Sequence, residues 1–442
     1  MSRKYEFQDQ ELHEKLKSLV IEVFALLQEK IKGGSKFEFR TIVEGGLIVS
    51  EKGNLTVFPE GRECRKIPDF ALFTFRYRDE LGQLSEWKTV IEYLSRNETI
   101  RKQLSGELVP PFGGFVLHEP DFLRRIINMC IDEKQTFCFD LEIFNSVYAE
   151  IEKYLYSDSV IRKSFAPLLG FSSELREIYL GKGVKIRRIT KDEILDLWNN
   201  SPWFKALLEG NQMAFSIYTP LLYLIELTVE AQKKAPNEGV NVPFATMVFD
   251  KVVSALRLFK KGWISYPFIF EKNVSQLASG TSYGMSGNLP HIPMTLTYEL
   301  TIDEAEDFKT FYKEIEEELD NSKIALTRFN ETYRREGVGE RKHEDVFIDC
   351  CIAFESLFCK DTRQKGEIIA TGASMLLGKD HKEREDINNY LRKAYRVRND
   401  IVHASLPISD ALKKREIDDD LGTFISKVEN YLRLCIRKLI DV

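Results

Sequence analysis

The sequence predicts an α+β protein in which a mixed α/β N-terminal region precedes an all-α helical bundle. Residues ~36 to ~301 contain short aromatic and β-branched runs between Gly, Asn and Asp turns, a pattern typical of strands. After ~302, apolar residues recur at spacings of three and four, and the breaks between these segments are short, which is typical of an antiparallel bundle. We therefore divide the chain into 1–300 and 301–442, and we leave open a sub-boundary near 165–180.

The composition is that of a soluble globular protein, with 43% hydrophobic and 30% charged residues in a chain of 442. This length is enough for two or three domains with proper cores. No apolar run approaches the ~20 residues that span a bilayer, and the polar N-terminus lacks the apolar block of a signal peptide. We expect a cytoplasmic protein that has no membrane partner.

The cysteine content and the net charge limit which metal sites and which nucleic-acid contacts the sequence predicts. The seven Cys include no CxxC pair and no His partners at zinc-ligand spacing, so we expect reduced, mostly buried thiols. No cluster of carboxylates and His predicts a metal site, and we expect no cofactor. A net charge of −6 excludes a general polycation, so any contact with nucleic acid requires a local basic patch.

The N-terminal region begins with a predicted amphipathic helix over ~8–32, whose leucine and valine stripe stops at Gly33-Gly34. Aromatic and β-branched runs then predict strands, and Pro and Gly pairs predict a loop before the helical pattern returns. The predicted elements are strands at Phe37–Val43, Leu55–Phe58 and Phe70–Tyr77, a loop over 96–115 and a helix over 140–157.

The middle of the chain alternates between strand and helix patterns. A strand that begins at Val184 precedes a helix start, where Thr190 and Glu193 form a capping box. The following predictions are a strand pair or a strand broken at Pro220 over 214–231, a helix over 244–260 ended by Gly262, and a mobile Gly- and Ser-rich surface loop over 279–288.

The C-terminal bundle is predicted from long amphipathic segments separated by Gly, Asp and Pro. Short connections between long helices favour antiparallel neighbours. The predicted helices cover ~303–335, ~343–359, ~365–378, ~382–403 and ~410–440.

The most informative stretch lies near the end of the fourth of these helices. It reads Arg398, four residues, then His403, with Asn399 directly after the Arg. A cation on an apolar stripe is costly unless it is paired or serves a purpose. Arg398 is expected on such a stripe, which is formed by Ile387, Leu391, Ala394 and Ile401.

A second ionisable group is predicted on an apolar helix face. Glu355 lies four residues after Cys351 and three before Phe358, within a run of apolar residues. If the two helices pack together, Glu355 and Arg398 would satisfy each other's charge. The sequence leaves open whether Glu355 is only a structural partner of Arg398 or has a direct catalytic role.

The trio of Arg398, Asn399 and His403 suits cleavage of a phosphodiester in RNA without a metal. A His takes or gives a proton near neutral pH, an Arg holds a phosphate and stabilises its growing charge, and an Asn orients either group. The alternative is a purely structural role, in which Arg398 forms an ion pair and His403 is favoured by the helix dipole at the helix C-terminus. A basic and aromatic surface for a single strand, or simply a solvated face, is formed by Arg392, Lys393, Tyr395 and Arg396.

These residues resemble the HEPN superfamily, whose signature is Arg, four to six residues, then His, often with Asn or Asp after the Arg. The segments Ile352–Phe358 and Tyr395–His403 are similar to the Apea-like HEPN group, and the resemblance covers roughly 303–442. The stretch 186–194 also resembles the region that precedes such domains. One departure is Ala404-Ser405, where the family often has Gly-Gly; the catalytic residues are unaffected, and we expect the helix to end there.

The resemblance implies a metal-independent endoribonuclease that forms a homodimer, with two motifs facing across the seam. It also implies a toxin or abortive-infection effector against phage, and we expect the N-terminal region to sense a phage-derived trigger. Two alternatives stay open. The first is a non-catalytic HEPN module that dimerises and binds RNA or nucleotide. The second is a nucleotide-modifying or ligand-sensing protein whose activity lies in the N-terminal region.

Overall fold

A computed structural model of the chain describes residues 5–43, 47–49, 55–57, 64–105, 118–157, 159–190, 193–194, 223–232, 242–273, 282–285, 298–316, 323–335, 340–359 and 363–440. Within these residues it has many helices and several sheets, so the α+β class is confirmed. None of the helices that it describes is long and apolar enough to cross a membrane.

The N-terminal part is mostly helical. Asp9 caps its first helix by accepting a hydrogen bond from the Leu12 amide, and the helix ends at Gly33, as predicted. The elements are α1 Gln10–Lys32, β1 Phe39–Val43, β2 Leu47–Val49, β3 Leu55–Val57, β4 Cys64–Pro68, α2 Phe70–Arg76, α3 Arg78–Leu81, α4 Ser85–Arg96, α5 Glu98–Ser105, α6 Glu119–Lys134 and α7 Leu141–Tyr156. Strand β1 pairs antiparallel with β4, and β2 pairs antiparallel with β3.

The strand predicted over Phe70–Tyr77 is wrong, because these residues form α2. Asp69 caps the helix through the Leu72 amide, and Phe70, Phe73 and Thr74 are buried at helical spacing. Alternation in a short aromatic run does not separate a strand from a helix, and here the cap and the packing decide in favour of helix.

The loop predicted over 96–115 is also wrong in its first part, because Glu98–Ser105 is helical. Residues 106–117, which contain the Pro and Gly pairs, lie outside the described residues. Helices α4 and α6 were not predicted, whereas the helix predicted over 140–157 is confirmed as α7.

The central part is an antiparallel sheet of six strands, in the order β11 (Ser282–Met285), β10 (Phe268–Asn273), β5 (Ser159–Leu168), β9 (Tyr223–Gln232), β8 (Val184–Arg188) and β7 (Glu177–Gly181). The predicted strand at Val184 and the capping box of Thr190 with Glu193 are confirmed. The elements are β5 Ser159–Leu168, β6 Phe171–Ser173, β7 Glu177–Gly181, β8 Val184–Arg188, β9 Tyr223–Gln232, α8 Val242–Phe259, β10 Phe268–Asn273, β11 Ser282–Met285 and β12 Tyr298–Leu300.

Of three further predictions in this part, one is wrong over four residues, one is confirmed in part and one is confirmed. The surface loop predicted over 279–288 contains β11, which pairs antiparallel with β10, so the prediction is wrong over those four residues. The strand prediction over 214–231 is confirmed from Tyr223 onward, whereas 214–222 lie outside the described residues. The helix predicted over 244–260 is confirmed as α8.

The C-terminal part is a helical bundle, as predicted. Two predicted helices, ~303–335 and ~410–440, each correspond to two shorter helices. The elements are α9 Ile302–Ile315, α10 Lys323–Arg335, α11 Glu340–Phe358, α12 Lys365–Leu377, α13 His381–Ala404, α14 Ile408–Lys414 and α15 Leu421–Ile440. Thr301 and Glu304 form a capping box at the start of α9, which places the change from strands to helices near the predicted residue.

The hydrophobic cores divide the chain differently from the secondary structure. One core joins buried residues of α1 through α7, between Leu12 and Leu155. The other is a single cluster of buried side chains drawn from the described residues between Phe165 and Ile440, so the sheet, α8 and the bundle share it. The position near 300 therefore separates strands from helices, but the buried side chains on its two sides pack together.

Candidate active site

Helix α13 carries Arg398, Asn399 and His403 in its last two turns. Asp380 caps its start by accepting a hydrogen bond from the Glu383 amide. Ser405 follows its last residue in the left-handed region, with a φ of 53°, and its amide donates to the Asp400 carbonyl. This is a conformation that Gly usually supplies, and it ends the helix as predicted, so His403 lies in the last turn.

The buried face of α13 differs from the predicted stripe at two positions. Its buried residues are Ile387, Leu391, Ala394, Val397 and Asp400. The stripe continues through Val397 and Asp400 rather than through Arg398 and Ile401, because spacings of three and of four both fit a helical stripe. The Arg398 side chain is 18% exposed and lies at the border of the core.

Glu355 on α11 and Arg398 on α13 form the predicted ion pair. Glu355 Oε1 lies 3.3 Å from Arg398 Nη2. The same oxygen accepts a hydrogen bond of 2.9 Å from the Tyr395 hydroxyl, and Oε2 accepts one of 2.6 Å from Lys365 Nζ. The carboxylate thus receives three donors from two neighbouring helices.

The surroundings of Glu355 keep it ionised. Burial raises its pKa, but the hydrogen bonds from Lys365 and Tyr395 and the charge of Arg398 outweigh burial and lower the pKa below 4.5. Burial and the bond to Glu355 raise the pKa of Tyr395, so its hydroxyl stays a donor. Lys365 was not predicted, since it follows a turn and carries no helical spacing that relates it to Glu355.

Arg398 also contacts the other two members of the predicted trio. Its Nη1 donates to Asn399 Oδ1 over 3.3 Å and lies 3.4 Å from His403 Nε2. Its Nε is buried and has no hydrogen-bond partner among the residues that the structure describes. One guanidinium therefore bridges Glu355 on one side and Asn399 and His403 on the other.

The trio borders an open cleft of about 840 Å³ between α12 and α13. The first turn of α12 forms one wall, from Gln364 to Glu367. The other wall follows α13, where residues at helical spacings of four, three and four share one face. The α13 residues that line the cleft are Arg392, Tyr395, Arg396, Arg398, Asn399 and His403.

The walls of the cleft meet at Gly366, where α12 approaches α13 closely. A Cβ at this position would lie 2.8 Å from the Tyr395 ring, so any larger residue would push the helices apart. The preceding N-cap, Gln364, makes no side-chain hydrogen bond to the first turn of α12. The positive end of this helix therefore borders the cleft without a capping side chain.

The four residues predicted to contact RNA have different surroundings. Arg392 forms an ion pair with Glu367, and the Tyr395 hydroxyl is bound to Glu355. Lys393 donates to the Glu416 carbonyl over 3.0 Å and does not line the cleft. Arg396 is exposed, lines the cleft and has no hydrogen bond or ion pair within the described ranges.

Asp400 is a charged residue of the motif whose role the sequence did not reveal. It is buried and accepts hydrogen bonds from Arg415 Nε over 2.5 Å and from Lys414 Nζ over 2.9 Å. These bonds lower its pKa to about 2. Its carbonyl also accepts the Ser405 and Leu406 amides, so Asp400 fixes the end of α13 where His403 lies.

The described residues hold no group of three or more His, Cys, Asp or Glu that is placed to bind a metal ion. Cys350 and Cys351 are buried on α11, and burial raises the pKa of both thiols. Their packing matches the expected role in the core.

Comparison with known proteins adds no relative: no family model, no curated protein and no solved structure matches this chain. The similarity to HEPN proteins therefore stays a prediction that rests on the motif residues, and the assignment of function rests on the site itself.

Proposed function

We propose that the protein is a metal-independent endoribonuclease whose active site is the cleft between α12 and α13. The observation that carries this proposal is the convergence of Arg398, Asn399 and His403 on one open cleft, with Glu355 beneath the Arg. A proton-transfer group and a fixed guanidinium are the parts that cleavage of RNA by its own 2′-hydroxyl requires, and the amide of Asn399 lies beside both.

In the proposed reaction, the 2′-oxygen of one nucleotide attacks the adjacent phosphorus. The 2′-hydroxyl gives its proton to a base, the bond from phosphorus to the 5′-oxygen breaks, and that oxygen takes a proton from water. The products are a 2′,3′-cyclic phosphate and a 5′-hydroxyl, and no oxidant, metal or second substrate is consumed.

His403 would be the base. Arg398 Nη1 can only donate hydrogen bonds, so its contact with His403 Nε2 is satisfied when that nitrogen carries no proton. When a bound phosphate takes over Arg398 Nη1, the lone pair of His403 Nε2 is released and can accept the proton of the 2′-hydroxyl. His403 is exposed, so an incoming strand reaches it without displacing core residues.

Arg398 would hold the scissile phosphate and stabilise the charge that builds on it. Arg398 lines the cleft, and a guanidinium can hold a phosphate there with two parallel hydrogen bonds. Glu355 would orient the guanidinium from the other side, with Lys365 and Tyr395 holding the carboxylate. Asn399 would position either the phosphate or Arg398.

The wider role follows from the resemblance alone. We propose a cytoplasmic toxin or abortive-infection effector that acts as a homodimer, with residues 1–300 sensing a phage-derived trigger. If so, a chain that lacks residues 1–157 but keeps the core shared by the sheet and the bundle is more active or more toxic than the full chain. A folded truncation without increased activity would count against restraint by this part of the N-terminal region.

The experiment that tests the proposed function uses the full chain, a labelled RNA and a chelator. We expect the wild type to produce ends with 2′,3′-cyclic phosphate and 5′-hydroxyl groups. His403→Ala is expected to lower the rate by about 100- to 10,000-fold, because general base catalysis contributes this much. Arg398→Ala should lower it by about 100- to 1,000-fold.

His381→Ala is the matched control, because His381 is an exposed His at the other end of the same helix. It should cleave as the wild type does. In cells, expression of either the wild type or this control should arrest growth and fragment cellular RNA, whereas His403→Ala and Arg398→Ala should not. Folded wild type and folded variants that behave alike would contradict the proposal. RNA binding without cleavage would favour the non-catalytic module instead.

A further inference from the structure

The cations that line the cleft are mostly committed to partners within the protein. Lys365 donates to Glu355 over 2.6 Å, and Arg392 is paired with Glu367. Arg398 contacts Glu355 as well as both Asn399 and His403. A ligand that recruits Lys365 or Arg392 must first break an existing ion pair.

Arg396 is the exception among these cations. It is exposed, and in the described part of the chain no acceptor engages its guanidinium. It precedes Asn399 by three residues and His403 by seven, so the three side chains share one face of α13. At about 1.5 Å per residue, Arg396 lies about 10 Å along the axis from His403.

RNA carries a phosphate at every nucleotide, so a strand whose scissile phosphate sits at Arg398 brings further phosphates into the same cleft. The cleft extends along α13 from His403 past Arg396 to Arg392. We propose that Arg396 forms a second phosphate subsite, which binds the phosphate next to the scissile one. The preferred substrate is then an RNA segment with at least two successive phosphates.

This inference rests on the proposed function for the position of the scissile phosphate. The subsite itself rests on which cations of the cleft are already paired. An exposed guanidinium without a partner binds a phosphate at no cost in broken ion pairs, and it can offer two parallel hydrogen bonds. Arg392 can reach the same phosphate only after it leaves Glu367.

The test compares a dinucleoside monophosphate with the same molecule carrying an added 5′-phosphate or an added 3′-phosphate. The full-length wild type is expected to cleave one of the two phosphorylated forms with a kcat/KM about tenfold or more above that of the parent, the gain of a charge-assisted contact. Which form gains identifies the side of the scissile bond on which the subsite lies. Arg396→Ala should reduce this ratio to near one.

Lys382→Ala is the control for a general loss of charge, because Lys382 is an exposed cation of the same helix far from the cleft. It should keep the full ratio. The proposal is overturned if the wild type shows no ratio above one for either form, if Arg396→Ala retains the ratio, or if Lys382→Ala loses it equally.

Binding of the 2′-deoxy forms of the three molecules separates this inference from the proposed function. They lack the attacking hydroxyl and cannot be cleaved, so calorimetry reports binding alone. Tighter binding of a phosphorylated form that Arg396→Ala abolishes supports the subsite even if no RNA is cleaved. Equal binding of all three forms by the wild type overturns the subsite, whatever the cleavage assay shows.

Discussion

Helix α13 holds two clusters in which a carboxylate meets several donors, and the clusters differ in what surrounds them. Asp400 lies on the buried face and accepts hydrogen bonds from Lys414 and Arg415 at the end of α14. Glu355 reaches α13 from α11 and accepts hydrogen bonds from Lys365 and Tyr395 beside an open cleft.

The difference lies in the partners more than in the carboxylates. The cations around Asp400 come from one short helix and do not line the cleft, so the cluster ties α14 to the end of α13. The donors around Glu355 all line the cleft, and one of them, Arg398, also contacts His403. The comparison assigns the first cluster to stability and the second to the proposed chemistry, and isosteric substitutions test that assignment.

Among the isosteric substitutions, Glu355→Gln has the largest expected effect on activity, because it removes the charge that orients Arg398 and keeps the shape of the side chain. We expect RNA cleavage to fall about 10- to 100-fold, the worth of a hydrogen bond to a charged group. The free energy of unfolding should change by less than about 1 kcal/mol, because the Gln amide oxygen can still accept from Tyr395 and Arg398, and Lys365 is 41% exposed and can be hydrated. Initial rates and urea unfolding measure the two effects. Unchanged cleavage would place Glu355 outside the chemistry.

Asp400→Asn is expected to give the opposite pattern. The Asp400 side chain is 7% exposed and its charge ties α14 to α13, so we expect the free energy of unfolding to fall by about 1–2 kcal/mol. Cleavage by the folded protein should stay within a few-fold of wild type. Thermal unfolding and cleavage well below the melting temperature check both statements.

The pH dependence of unfolding is the internal check on this variant. Because the folded pKa of Asp400 is lowered from 3.8 to about 2, its contribution is present above pH 3.8 and is lost as the pH falls through 2. Wild type should lose this part of its stability between those values, whereas Asp400→Asn should not. Parallel curves for the two proteins would mean that Asp400 contributes little to stability.

The smallest expected effect is that of Tyr395→Phe, which removes one of three donors to Glu355. We expect kcat to fall only about two- to tenfold, because Lys365 and Arg398 still hold the carboxylate. KM should change little, because the lost hydroxyl positions Glu355 rather than the substrate. A loss equal to that of His403→Ala would instead indicate that Tyr395 touches the reacting groups. Steady-state kinetics with a short RNA distinguishes the two.

Sequence patterns predicted the bundle better than the N-terminal part. The long helices α11, α12 and α13 follow apolar spacings over many residues, which fixes their type and approximate bounds. Helix α2 was predicted as a strand, because seven residues with four aromatics or leucines fit either period. Its helical state depends on the Asp69 cap and on packing against its neighbours.

In the candidate site too, contacts that follow from spacing along one helix were predicted, and most contacts that depend on packing were not. Spacing along α13 predicted that Asn399 and His403 share a face, and the cost of unpaired buried charge predicted that Glu355 and Arg398 meet. The predicted RNA contacts were less specific, because the sequence does not show that Lys393 donates to the Glu416 carbonyl.

By itself, the sequence determined the helices of the bundle, the end of α13 near His403 and the residue types of the site, because these depend on neighbours along one helix. Only the tertiary structure decided that Lys365 holds Glu355, that Asp400 is tied to α14, and that Arg396 is left without a partner in the described chain. These contacts join residues of different helices, or of different turns, whose relative positions are set by packing rather than by spacing along the chain.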